Sequence, residues 1–297
     1  MIHVKAENLC KEINERTAVE NVSFEVQPGR VLGILGAENA GKTTILRMLM
    51  ELVPPDSGSV SFDERMISPK VRDATGYLPQ RRGLLKNHTV NELLIYFAQL
   101  KNLPRKKARV EAVRLMDRFQ IIDQMDTKVH LLTEEMRQKV AVMLAIIHNP
   151  DLLILDEPFL EQHPGFIKLV RKLVQRFRDE GKTLILASRD FDEAEILCDD
   201  VLVLQDGQTL LQGNLAEIRN RSKENMIEVF AHENLESLQS IYGVKQYILN
   251  HRSAQLFVDS KVPPQKILDV IVKTVNATRI EVCRPGLREI VNQMTNL

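Results

Sequence analysis

The sequence predicts an α/β fold: a parallel sheet with intervening helices, a helical insert, and a small α+β module at the end. Three observations lead there. Short apolar runs at 31–35, 152–155, 183–187 and 201–204 alternate with helical segments, the pattern of a parallel sheet. Across 84–150 the apolar residues recur at helical spacing instead. From about residue 220 the order becomes β-α-β-β-α-β with a final helix, as in a ferredoxin-like module. The expected domains are therefore 1–219, carrying the helical insert at about 84–150, and 220–297.

In chain order, residues 22–26 and 31–35 read as strands divided by a Pro28-Gly29 turn. A helix over 44–52 should stop at Pro54-Pro55, and a short strand follows at 58–62. The insert carries Leu93, Leu94, Phe97 and Leu100, then Val113, Met116 and Phe119, then Val140, Met143, Leu144 and Ile147 on its apolar faces. Within it, the basic run from Arg105 to Arg109 reads as a solvated helix face. The strand at 201–204 leads into an Asp206-Gly207 hairpin turn. In the last module, strands are expected at 227–230, 244–249, 256–258 and 279–282, and helices at 235–240, 265–274 and 287–294.

Composition bounds the function. The chain has 297 residues, 44% hydrophobic and 27% charged, enough for a sizeable core. Lys+Arg and Asp+Glu both number 40, a zero formal charge that argues against a nucleic-acid partner. Cys10, Cys198 and Cys283 are too scattered for a disulfide frame or a zinc site, which fits a reducing cytosol. The first residues lack a basic-then-apolar signal pattern, and no apolar run nears the ~20 residues that span a bilayer. A membrane link would then run through a partner protein.

Two motifs carry the chemistry. Gly36-Ala-Glu-Asn-Ala-Gly41-Lys42-Thr43 fits G-x-x-x-x-G-K-[ST] between an apolar strand and a helix. Glycines let backbone N–H groups turn inward around phosphate oxygens, and the helix N-terminus favours the anion. Lys42 would reach the β- and γ-phosphates, and the Thr43 hydroxyl would bind Mg²⁺. A chance match in a chain this long is roughly one in a hundred. The second motif is Asp151-Leu-Leu-Ile-Leu-Asp156-Glu157-Pro158, a buried strand ending in two acids. Asp156 could hold Mg²⁺ through water, and Glu157 could polarise an attacking water as general base.

With Tyr77-Leu-Pro-Gln80 between them, these motifs resemble those of ABC transporter ATPases over about residues 4–218. The resemblance is closest to drug- and sodium-export subunits whose membrane partner is a separate polypeptide. The tail looks like the accessory C-terminal domain of that group. The resemblance implies a P-loop core and ATP-Mg as ligand. Gly36, Asn39, Ala40, Gly41, Lys42, Thr43 and Thr44 would hold the phosphates, and Ile13 and Arg189 would also touch nucleotide. Thr43, Gln80 and Asp156 would serve the metal, with Glu157 and Gln80 catalytic. It also implies a transmembrane permease partner, a second ABC subunit (the same chain or another), and a peripheral place on the cytoplasmic face of the cell membrane.

The chain departs from the family pattern at several positions. The aromatic that stacks on adenine falls at Ile13, a loss of ~1 kcal/mol. The third P-loop glycine is Asn39, the residue that best tolerates positive φ after glycine. The signature motif, which in this family caps the γ-phosphate held by a head-to-tail partner, reads Leu132-Thr-Glu134-Glu135-Met136. One such carboxylate at ~4 Å from the phosphate would cost about 4 kcal/mol at an effective dielectric near ~20. The D-loop reads Leu160-Glu-Gln-His163-Pro164, and the switch histidine is Arg189, which cannot shuttle a proton. The expected function is an export subunit with slow turnover; the alternative is a non-hydrolysing regulatory subunit. In a homodimer, Arg189 is expected to meet Glu134 or Glu135 of the neighbour.

Overall fold

The computed structural model describes residues 2–295 apart from 15, 64–68, 81–82, 160–162, 222–224, 233, 250–252 and 260. It divides into two compact units, Met1–Gly213 and Asn214–Leu297.

The first unit begins with strands β1 (Val4–Ile13), β2 (Arg16–Val26) and β3 (Val31–Leu35), helix α1 (Lys42–Leu49), strand β4 (Ser57–Phe62), helix α2 (Pro69–Asp73) and strand β5 (Thr75–Leu78). Helices α3 (Val90–Leu100), α4 (Arg105–Arg118) and α5 (Glu134–Ile146) form the insert. Strand β6 (Leu152–Asp156), helix α6 (Pro164–Asp179), strand β7 (Thr183–Ser188), helix α7 (Phe191–Leu197) and strands β8 (Asp200–Gln205) and β9 (Gln208–Asn214) complete it.

The central sheet has the order β5-β6-β7-β3-β8-β9. β5, β6, β7, β3 and β8 run parallel. Every residue of β3, β6 and β7 is buried. Burial on both faces explains why these strands read as nearly unbroken apolar runs rather than alternating ones. Asp206 (φ 48) and Gly207 (φ 83) join β8 to β9, both in the positive region that a two-residue hairpin turn needs.

A second sheet, order β2-β1-β4, pairs antiparallel. β1 is absent from the sequence reading, and β2 starts at Arg16 rather than near Val22. Register shifts after Ala6, Leu9 and Lys11 break the alternation that would have announced β1. α1 also differs from its expected span of 44–52. It starts at Lys42, and Glu51 turns left-handed at φ 52, so the helix ends before the prolines act.

Thr89 and Glu92 make a reciprocal capping box at the start of α3. The buried stripe of α3 is Val90, Leu93, Leu94 and Ala98, and that of α4 is Ala108, Ala112, Leu115 and Met116. Leu100 and Val113, expected to be buried, are 56% and 46% exposed. Ala98, Ala108 and Ala112 hold part of the contact, and Leu100 and Val113 lie off the stripe. Arg105, Lys106, Lys107 and Arg109 are exposed, as a solvated face requires.

The second unit contains α8 (Leu215–Arg221), β10 (Asn225–Phe230), β11 (Val244–Leu249), β12 (Ser253–Val258), α9 (Pro264–Thr274), β13 (Arg279–Cys283) and α10 (Leu287–Thr295). Its antiparallel sheet has the order β11-β12-β10-β13, the ferredoxin-like arrangement. Ile227, Val229, Leu256 and Val258 pack with Ile267 and Ile271 of α9 in a separate core. The helix expected at 235–240 is a single 3-10 stretch, Glu236–Ser240. Among the described residues, no helix is long and apolar enough to cross a membrane.

Candidate functional site

The loop between β3 and α1 is shaped by three residues of positive φ: Gly36 (149°), Asn39 (64°) and Gly41 (100°). A Cβ on Gly36 would lie 2.4 Å from the Leu204 carbonyl oxygen, and one on Gly41 would lie 2.5 Å from that of Ala18. Both must be glycine for the chain to take this path. Asn39 supplies the third left-handed position without one.

Lys42 opens α1 and folds back into its own loop. Its Nζ donates to Gly36 O at 2.8 Å and Ala37 O at 2.7 Å, and lies 3.2 Å from Glu157 Oε1. Burial pulls the Lys42 ammonium below its usual range, and Glu157 opposes that shift. The next residue, Thr43, donates from Oγ1 to Asp156 Oδ1 at 3.1 Å. Asp156 is delivered by the buried end of β6, and burial pushes its carboxyl upward.

Glu157 follows with a left-handed backbone at φ 47, rare for a residue without a turn-forming side chain. Its N–H donates to Ala187 O of β7 at 2.9 Å. Its Oε2 accepts from the Arg189 N–H at 3.1 Å. The Arg189 side chain turns to the same region, with Nε 3.7 Å from Glu157 Oε1 and Nη1 3.1 Å from Glu38 Oε2.

These groups border one cleft of ≈ 750 Å³. Of the residues expected from the sequence, Ile13, Asn39, Ala40, Gly41, Lys42, Thr43, Thr44, Gln80, Glu157 and Arg189 line it. Gly36 reaches it through Lys42, and Asp156 through Thr43. Five lining residues were missed: Thr17, Ala18, Glu38, Arg47 and Asp206. Glu38 occupies an unspecified position of the loop motif, so the motif is silent about it. Arg47 follows Thr43 by four residues in α1, a spacing that does put both on one helix face.

The acids of the signature segment do not line this cleft. Thr133 caps α5, accepting from Met136 N–H at 3.3 Å. Glu134 pairs with Arg137 at 2.6 Å and Glu135 with Lys139 at 3.2 Å. Arg189 likewise has its partners, Glu38 and Glu157, in its own chain. The expected pairing of Arg189 with a neighbour's Glu134 or Glu135 is thus not needed to neutralise any of these charges. Of the D-loop reading, 160–162 lie outside the described residues; His163 caps α6, accepting from Gly165 N–H at 3.2 Å.

The arrangement suits a polyphosphate with a hard cation. A buried ammonium sits inside a loop whose glycines admit no side chain, and hydroxyl and carboxylate oxygens stand beside it. Residues 19–160 match a family described as ABC transporter. An uncharacterised ABC transporter ATP-binding protein of Alkalihalophilus pseudofirmus is 30% identical over 257 residues, covering 86% of this chain and 96% of the relative.

The chain belongs to the ABC transporter ATP-binding family.

It is an ATP-binding subunit of an ABC transporter, in a family of ATP hydrolases whose subunits dimerise and work with membrane permeases. A second relative, Nod factor export ATP-binding protein I of Ralstonia nicotianae, is 29% identical and spans 96% of this chain and 88% of its own. Among solved structures, the dimeric post-hydrolysis state of an ATP-binding cassette bound to ADP and Pi has the same fold. Its TM-score is 0.63 at 22% identity, over 71% of this chain and 98% of the other.

Proposed function

We propose that this ABC subunit binds ATP-Mg in the cleft described above and couples binding and slow hydrolysis to a separate export permease. The observation that carries the reading is Lys42, buried within its own loop beside Glu157, with the Thr43–Asp156 pair next to it. Thr43, Asp156 and Gln80 would hold the magnesium ion, which neutralises charge on the phosphate oxygens. Lys42 and the N–H groups of 36–44 bind and orient the phosphates. Ile13 offers the base apolar contact, and Glu157 is the base toward water. Export is supported by the similarity to the Nod factor export protein along nearly the whole chain. The second unit is proposed as the accessory domain, and the permease as what holds the subunit at the cytoplasmic face.

Slow turnover is supported by chemistry at three places. Arg189 offers no proton-transfer group where the family uses histidine. Glu134 and Glu135 bring carboxylates to the segment that caps a partner's phosphate. Glu157 already uses both oxygens, one toward Lys42 and one on the Arg189 N–H. That last contact also favours the second reading, a regulatory subunit that binds without hydrolysing. Purification with the permease followed by an ATPase assay separates them. Hydrolysis that Glu157→Gln removes supports the first reading; nucleotide binding with no turnover supports the second.

A further inference from the structure

We infer that Glu38 is the counter-ion that positions Arg189 at the phosphate end of the cleft, and that the pair sets how strongly the cleft holds phosphates. The inference rests on the nucleotide reading of this cleft.

The charge balance raises the question. Among the described residues at the cleft and directly behind it, Lys42, Arg47 and Arg189 are cationic, and Glu38, Asp156, Glu157 and Asp206 are acidic. Three cations against four carboxylates is a poor balance for a polyanion site. Asp156 has a metal to serve and Glu157 a water. Glu38 lies inside the phosphate loop itself, two residues after Gly36, and has no such task.

What Glu38 does have is Arg189. Its Oε2 lies 3.1 Å from Nη1, while the other edge of the guanidinium approaches Glu157 Oε1 at 3.7 Å. One planar cation thus spans two carboxylates from different elements. The Glu38 side chain is 73% exposed and that of Arg189 34% exposed. Exposed ion pairs contribute little to fold stability, so stability does not account for this contact. Its consequence lies in the field over the loop. With Arg189 present, the Glu38 carboxylate is neutralised and tolerable to phosphate. Without Arg189, it is an uncompensated negative charge beside the anion.

The test is a double-mutant cycle on the full chain, read by calorimetric titration with ADP-Mg and by the melting temperature of the nucleotide-free protein. Arg189→Ala should weaken ADP-Mg binding by about tenfold or more. Glu38→Gln in the Arg189→Ala background should recover most of that loss, while Glu38→Gln alone changes affinity only a fewfold. The coupling should shrink as salt is raised. The nucleotide-free melting temperature should stay close to wild type in all three variants. Equal effects of Glu38→Gln in both backgrounds would overturn the inference, as would affinity losses that track losses in melting temperature. Lys42→Ala serves as the control. A wild type that binds no better than Lys42→Ala overturns the nucleotide reading itself, and the inference with it. Binding that depends on Lys42 but shows no coupling overturns the inference alone.

Discussion

Lys42 is engaged by two carbonyl oxygens of the loop that should receive phosphate and by the Glu157 carboxylate that follows β6. A ligand must therefore exchange with partners already in place, so substitutions here act on the free protein as well. Lys42→Ala should abolish the rise in melting temperature on adding ATP-Mg. It should also destabilise the nucleotide-free protein, by roughly 3 kcal/mol, because the buried Glu157 then loses its nearer cation and keeps only Arg189 Nε at 3.7 Å. Equal ATP-induced shifts in wild type and variant would refute the first expectation. Gly41→Ala should be as damaging to binding for a different reason. The φ of 100° is strained for alanine, and the Ala18 carbonyl leaves no room for Cβ. Titration with ATP would show it, as loss of binding in a variant that keeps every charged group. At this scale, sequence reading found residues whose type matches a chemical task. Glu38, Thr17 and Asp206 escaped it: one lies at an unspecified motif position, and the others reach the cleft only through strand pairing and the β8–β9 turn.

Helices and strands differ in how plainly they announce themselves. β3, β6, β7 and β8 of the central sheet were legible because they are largely buried and mostly apolar, whereas the short β5 was not read as a strand. β1 was not, because its bulges scatter the buried positions. The stripes of α3 and α4 were half legible, since alanine carries part of the contact and gives no strong apolar signal. One consequence at this scale concerns His148, just beyond α5. Its Nε2 lies 3.2 Å from Thr75 O at the start of β5. Burial, helped by the charge of Lys101, pulls its pKa from 6.5 down to about 4. A folded-state pKa below the unfolded one means stability that is complete above pH 6.5 and is lost as pH falls through about 4. His148→Gln should flatten the fall in melting temperature across that window. An unchanged slope would show that other groups govern it.

Among the described residues, one core joins the central sheet to β1, β2, β4 and α1, and another lies between the second unit's sheet and α9. Every residue lining the cleft lies between Ile13 and Asp206, within the first unit. Ile271 is fully buried in the second core, so Ile271→Asp should unfold that unit. ATP-Mg binding should persist in the variant, while limited proteolysis removes residues beyond about 214. Loss of binding together with the tail would show that the cleft depends on residues outside its lining. The alternation of element types pointed to a parallel sheet in the first unit and a ferredoxin-like module in the second, but not to the antiparallel sheet β2-β1-β4, whose residues carry neither a motif nor a clean period.

The Ala18 carbonyl has a role in dimensions rather than energies. The site of an added Cβ at Gly41 is 2.5 Å from it and that at Gly207 3.1 Å, while Glu20 N–H donates to Gly207 O at 2.8 Å. The strand bearing Ile13's neighbours, the phosphate loop and the β8–β9 turn are thereby locked at one point. The cleft then holds its Ile13 and Lys42 ends in a fixed relation. Under the nucleotide binding proposed above, phosphates would sit at the Lys42 end and the base at the Ile13 end, so an intact nucleotide would be favoured by spacing even with no aromatic ring at position 13.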